Sequence, residues 1–145
     1  MKQFLMLHGV NHDMFGRRDP EQYGTITLDG INDKIDELAN ELNVNVEKYQ
    51  TNFEGEMVNK INEAYLNNVD GVIINAGAWT HYSYAIRDAL AILECPVVEI
   101  HMSNIHSRES FRHHSVFADI VTGQMTGFGV ESYLLGLRAA YSAIK

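Results

Sequence analysis

Short apolar runs recur along this chain, and each is separated from the next by an amphipathic stretch with helical spacing. Gln3–Leu7, Val44–Gln50, Gly71–Asn75 and Pro96–His101 read as strands, and Asp119–Thr122 begins a fifth. Between them, apolar residues recur at Leu28, Ile31, Ile35, Leu38, Ala39 and Leu42, with Thr27 placed to cap the helix. Met57, Val58, Ile61, Tyr65 and Leu66 mark a second helix, 85–93 a third, and Gly129–Ile144 a last one. On that last helix Tyr133, Leu134, Leu137, Ala140, Tyr141 and Ile144 share one side. Alternating strands and helices of this kind fold as a parallel sheet, because each crossover helix must cover one of its faces.

The 145 residues suit one domain, 1–145, and the α/β flavodoxin-like arrangement with strand order 2-1-3-4-5. In such sheets ligands bind beyond the carboxyl ends of the strands. Those ends fall at 8–24, 51–55, 75–84, 101–115 and 123–128. All seven histidines lie in these segments, with four of the six arginines, Arg17, Arg18, Arg108 and Arg112. The region 103–115 is polar, with room for one helical turn.

Several chemistries fall away first. A net charge of −8 lacks the basic footprint that nucleic acid or an anionic membrane needs. No apolar run is long enough to span a bilayer, and Met1-Lys2-Gln3-Phe4 does not begin a signal-peptide core. The lone Cys95 makes no internal disulfide and fits a reducing, cytoplasmic home; beside Pro96 it reads as a small structural hydrophobe. After the first strand stands Gly9-Val10-Asn11-His12-Asp13, which has neither GxGxxG nor Walker spacing. Lys2, Lys34, Lys48, Lys60 and Lys145 all miss the strands' carboxyl ends, which argues against imine chemistry there. No tight metal-ligand spacing is present, so no metal and no cofactor is expected.

Three segments remain. Residues 16–24 form a glycine-bounded loop with Arg17, Arg18 and Tyr23, suited to closing over a site or to lying solvated on the surface. Residues 75–88 carry Asn75 at a buried strand end, where an amide reaches the cleft, followed by His81. Residues 99–115 place Glu99 and His101 two apart, on one face of a strand. A carboxylate beside an imidazole orients it and favours its protonated form, which suits a general acid. Ser103, Arg108 and Arg112 exceed what a satisfied core histidine needs, whereas His113 and His114 read as structural or surface-facing.

Gly-x-Arg-x-Pro-x-x-Tyr-Gly (16–24), Asn-Ala-Gly-Ala-x-Thr-His (75–81) and Glu-x-His-x-Ser-Asn-x-x-x-Arg-Glu-x-x-Arg (99–112) resemble the type II 3-dehydroquinate dehydratases. Gln50-Thr51-Asn52-x-Glu54-Gly55 and Gly127-Phe128-Gly129-x-x-x-Tyr133 do so too, and the likeness spans essentially the whole chain in order. The resemblance implies a hydro-lyase of the shikimate pathway that eliminates water from 3-dehydroquinate through an enolate, without metal, cofactor or imine. By position, Tyr23 resembles the base. A free tyrosine has a pKa of about 10 and is only about 0.1% ionised at neutral pH. Guanidinium groups at Arg18 and Arg108 would favour its phenolate. His101 resembles the acid, oriented by Glu99, and Asn11 the residue that holds a water against the enolate oxygen. Asn75, His81 and Arg112 resemble the hydroxyl-binding set, and Ser103 with the backbone of Met102 the carboxylate cradle. Asp88 resembles a residue that reaches a neighbouring subunit's site. The implied assembly is a homo-oligomer, trimers packed into a dodecamer.

The family's first loop usually reads Asn-Gly-Pro-Asn-Leu-Asn, where this chain has His8-Gly9-Val10-Asn11-His12-Asp13. Losing the proline loosens the turn, and three titratable groups enter the neighbourhood of the enolate. Ser110 also stands where a second acid is usual. Two other readings stay open on sequence: a non-catalytic relative that binds a cyclic polyol carboxylate, and a metal-dependent hydrolase built on His8, His12 and Asp13.

Overall fold

A computed structural model describes residues 1–144. Five parallel strands form one sheet: β1 (Gln3–His8), β2 (Asn45–Gln50), β3 (Gly71–Asn75), β4 (Val97–His101) and β5 (Gly123–Thr126), in the spatial order β2-β1-β3-β4-β5. The expected order 2-1-3-4-5 is the one observed. The helices are α1 (Pro20–Tyr23), α2 (Leu28–Leu42), α3 (Glu54–Leu66), α4 (Tyr84–Ala91) and α5 (Glu131–Ala143). None is long and apolar enough to cross a membrane.

Strand periodicity divides the core into two. Phe4, Met6, Ile73, Val98 and Ile100 pack on one face, against Ile31 and Ile35 of α2 and Leu137 of α5. Leu5, Leu7, Val72, Ile74 and Val97 pack on the other, against Met57 and Ile61 of α3 and Ile86 of α4. Each such buried side chain stabilises the fold by about 1.5–3 kcal/mol relative to exposure. Thr27 caps α2 as expected, accepting from the Gly30 N–H, and Ser83 caps α4 through the Ile86 N–H.

Two expectations change. The fifth strand is Gly123–Thr126, and 119–122 is a turn in which the Ile120 and Val121 N–H groups bond back to the Phe117 carbonyl. Ile120 and Val121 pack against the core as that turn's apolar anchors. The strand itself lies at the sheet edge with Gly123 and Gln124 exposed, so it carries no apolar signal. Tyr65 and Leu66, which helped mark α3, and Tyr141, on the shared side of α5, are exposed. Each sits in the last turn of its helix.

Helix α5 approaches the sheet closely because position 136 is glycine: a Cβ there would lie 2.7 Å from the Ile100 Cγ2. That approach lowers Tyr133, fully buried on the preceding turn, onto the carboxyl ends of the strands.

His8 ends β1 and is completely buried, its Nε2–H donating to the Asn32 side-chain oxygen on α2 at 2.9 Å. Burial pushes its pKa down to about 4, only partly offset by that bond. A neutral imidazole that must charge in the unfolded chain gives stability that is full above its unfolded value and is lost as pH falls. The unfolding free energy should therefore drop between about pH 6.5 and pH 4. In His8→Asn this pH dependence should shrink by up to about 3 kcal/mol, read from urea titrations across that range. An unchanged slope would contradict a buried neutral His8.

Candidate active site

Parallel register delivers the polar ends of three neighbouring strands to one edge. His8 pairs with Asn75 across β1 and β3, and Ile74 pairs with Glu99 across β3 and β4. A cavity of about 130 Å³ opens there, lined by Asn11, His12, Arg18, Tyr23, Asn75, His81, His101, Met102, Ser103, Arg108 and Arg112, with a few small apolar residues. Thus ten of the sequence-predicted residues stand on one wall or another of a single hollow, and an eleventh, Glu99, lies directly behind His101.

Tyr23 ties the 16–24 loop to Arg108. The Arg108 guanidinium donates to the Tyr23 hydroxyl oxygen at 2.8 Å, and Arg18 donates to the same oxygen at 3.2 Å. Both guanidiniums also lie over the Tyr23 ring, at 4.3 Å for Arg18 and 5.2 Å for Arg108. Arg108 reaches on to the Ser103 hydroxyl at 3.2 Å. Two cations thus converge on one phenolic oxygen. Asp19 caps the short helix α1 that carries Tyr23, and Pro20 opens it, so the phenol's direction is set locally.

Across the hollow, Glu99 is fully buried. One of its oxygens meets His101 Nε2 at 2.6 Å, and the other accepts from the Ser115 hydroxyl at 2.7 Å. The Ser115 oxygen in turn accepts from the Phe117 N–H. This chain of bonds fixes Nε2 of His101 toward the carboxylate and leaves Nδ1 as its other ring nitrogen. The His81 ring stacks near that of His101, 6.4 Å between centroids, and its Nδ1–H donates to the His114 carbonyl at 2.8 Å. Burial lowers the pKa of His81, with the His114 bond opposing it. His81 is therefore a neutral ring whose Nε2 is an acceptor.

Some expected residues behave differently. Asn75 lines the hollow, but its amide is committed: its NH2 group donates to the Tyr133 hydroxyl at 2.8 Å, and its oxygen accepts from the Gly77 N–H. Asp88 is exposed and lies off the cavity wall. Arg17 is exposed and also off the wall, so three arginines line the hollow where the sequence suggested four. The turn without proline carries other ties. Asn11 adopts a left-handed conformation (φ 67°), and its N–H donates to the Asn52 side chain. The Gly9 N–H donates to Nδ1 of His12. His8, His12 and Asp13 do not converge on a metal: His8 bonds Asn32, His12 takes Gly9, and Asp13 accepts from Asn52. Among the described residues no group of three or more His, Cys, Asp or Glu side chains could hold a metal ion.

Sequence reasoning missed Ser115 and Tyr133 as supports. Ser115 stood at the end of the third polar segment with nothing to separate it from a surface serine. Tyr133 fitted the apolar stripe of α5, and its hydroxyl gave no sign of its partner. A larger hollow of about 540 Å³ lies at the opposite edge, around Asp70, Glu94, Cys95 and Pro96. It has no histidine or arginine on its walls, and burial pushes the Cys95 thiol pKa up, consistent with a structural cysteine.

Tyr133→Phe should lower stability by about 1–2 kcal/mol in urea unfolding, because the Asn75 amide is left with an unpaired buried donor. An unchanged midpoint would mean that the hydroxyl does not hold Asn75.

Comparison with known proteins gives the family. The family model described as Dehydroquinase class II matches residues 2–141. A 3-dehydroquinate dehydratase of Leptothrix cholodnii is 63% identical over 140 residues, covering 97% of this chain and 94% of that protein. One from Syntrophotalea carbinolica is 62% identical over 145 residues, covering 100% of this chain and 98% of that protein. The crystal structure of type II dehydroquinase from Butyrivibrio crossotus superposes with a TM-score of 0.95 at 40% identity, covering 97% of both chains. With the matching fold and nearly full coverage, the chain belongs to the class II dehydroquinase family.

Proposed function

We propose that this chain is a hydro-lyase that converts 3-dehydroquinate to 3-dehydroshikimate and water in the shikimate pathway. The observation that carries this reading is the pairing, across one hollow, of a phenol held by two guanidiniums with an imidazole held by a buried carboxylate. Family membership supplies the substrate class, and the local excess of arginine over a chain of charge −8 suits an anion.

Tyr23, as phenolate, takes a proton from the carbon beside the substrate's ketone. The electron pair of that C–H bond moves to form the enolate, with charge on the former ketone oxygen. The carbonyl then re-forms, the pair moves into the new C=C bond, and the β-hydroxyl leaves with its electrons. His101 protonates that hydroxyl so that it departs as water, and Glu99 stabilises the imidazolium before transfer. The proton on Tyr23 and the vacancy on His101 are then exchanged with solvent. Arg18 and Arg108 hold the phenolate before abstraction and lose part of that interaction after it.

The remaining residues position the ring. Arg112 and neutral His81 suit substrate hydroxyls, and Ser103 with the backbone at Met102 suits the carboxylate. Asn11 suits a water beside the enolate oxygen. Asp88, exposed on α4, belongs to this reading only as a reach toward a second copy's site, in an assembly of trimers within a dodecamer in the cytoplasm.

Mixing the protein with 3-dehydroquinate should produce the ultraviolet absorbance of a conjugated enone. Tyr23→Phe should lower kcat by about 10²- to 10⁴-fold while substrate binding, read by calorimetry, persists. A folded oligomer that gives no enone would contradict the proposed reaction, and a Tyr23→Phe protein at full rate would contradict the base.

A further inference from the structure

His12 enters the cavity wall with a fixed tautomer and a free donor. Its Nδ1 lies 2.9 Å from the Gly9 backbone nitrogen. A backbone N–H cannot accept a hydrogen bond, so Nδ1 is the unprotonated nitrogen and the proton sits on Nε2. That Nε2–H has no hydrogen-bond partner among the described residues. A Cβ on Gly77, also on the cavity wall, would lie only 3.0 Å from this Nε2. Gly77 has φ of +61°, so both its conformation and this approach require glycine.

The ring is held rigidly. It stacks on Phe15 at 4.6 Å with 16° between planes, and Phe15 packs at 5.4 Å against Tyr23. His12, Phe15 and Tyr23 thus form a row, which puts the His12 donor on the base's side of the hollow. His12 is 2% exposed, and its burial, with His8, Arg18 and His101 nearby, holds its pKa well below the usual histidine value. It is neutral through the ordinary working range and remains a donor there.

We infer that His12 is a catalytic residue whose Nε2–H donates to the ketone oxygen of the substrate, gaining strength as that oxygen becomes the enolate. The inference rests on the reaction proposed above. Tyr23 acts on the carbon next to the ketone, so a donor in the same row faces the carbonyl, while His101 faces the leaving hydroxyl. A neutral donor of this kind acts by electrostatics without giving up its proton.

Three variants separate this role from simple packing. His12→Leu keeps bulk and loses both nitrogens. His12→Asn keeps an acceptor where Nδ1 meets Gly9 and loses the donor at Nε2. His12→Gln carries an amide N–H out to the Nε2 position. The expected result is a kcat lower by roughly 10- to 100-fold in the Leu and Asn proteins, with KM changed much less, and substantial recovery in the Gln protein. Recovery by Asn instead of Gln, or a Leu protein within twofold of wild-type kcat, would overturn the inference by making His12 a tie for the turn. A second readout needs no turnover: in Tyr23→Phe protein labelled with ¹⁵N-histidine, adding 3-dehydroquinate should shift the His12 Nε2 proton. Binding that leaves this signal unmoved would also overturn the inference. Wild-type protein that forms no enone at all would instead count against the underlying reaction.

Discussion

Parallel strand pairing is the constraint on which the site depends. In a parallel ladder the register between neighbours is set by the backbone, so strands that end together place their last side chains together. Here His8, Asn75 and His101 end β1, β3 and β4 at one edge. A few loops then suffice to complete a pocket, and the 16–24 loop delivers Arg18 and Tyr23 to it. The larger hollow at the opposite edge has no histidine or arginine on its walls.

Burying polar groups at that edge is costly unless each finds a partner. The fold meets this with bonds that cross between elements. Ser115 and His101 close around the Glu99 carboxylate, Tyr133 from α5 takes the Asn75 amide, and Asn32 from α2 takes His8. These partners come from helices and loops far apart in the chain, so packing of the two cores and orientation of the reactive groups are one event. A shift of α5 away from Ile100 would free Asn75 as surely as a direct substitution.

The sheet order, two core faces and the helix caps were legible because they follow from local periodicity and residue type. Val72-Ile73-Ile74 can be little but a buried strand, and Thr27 before Leu28 is a cap by chemistry. The edge strand Gly123–Thr126 was hidden because an exposed strand needs no apolar residues, while Ile120 and Val121 imitated one beside it. At the site, clustering of histidine and arginine was visible, and the resemblance placed Tyr23 and His101. Direction was not visible. Residue type alone does not separate Arg17, which is exposed, from Arg18, which bonds Tyr23 and which only the motif resemblance singled out, and nothing marks His12 as buried with one ring nitrogen committed. Those facts depend on long-range partners such as Arg108, which lies 85 residues from the phenol it holds.

The measurement closest to the chemistry replaces Tyr23 alone with 3-fluorotyrosine and follows kcat against pH. Fluorine makes the phenol more acidic without removing it. A Tyr23 phenolate acting as base should carry the acid limb of the profile to lower pH. A limb that stays where it is in the unmodified protein would contradict Tyr23 as the group that takes the proton.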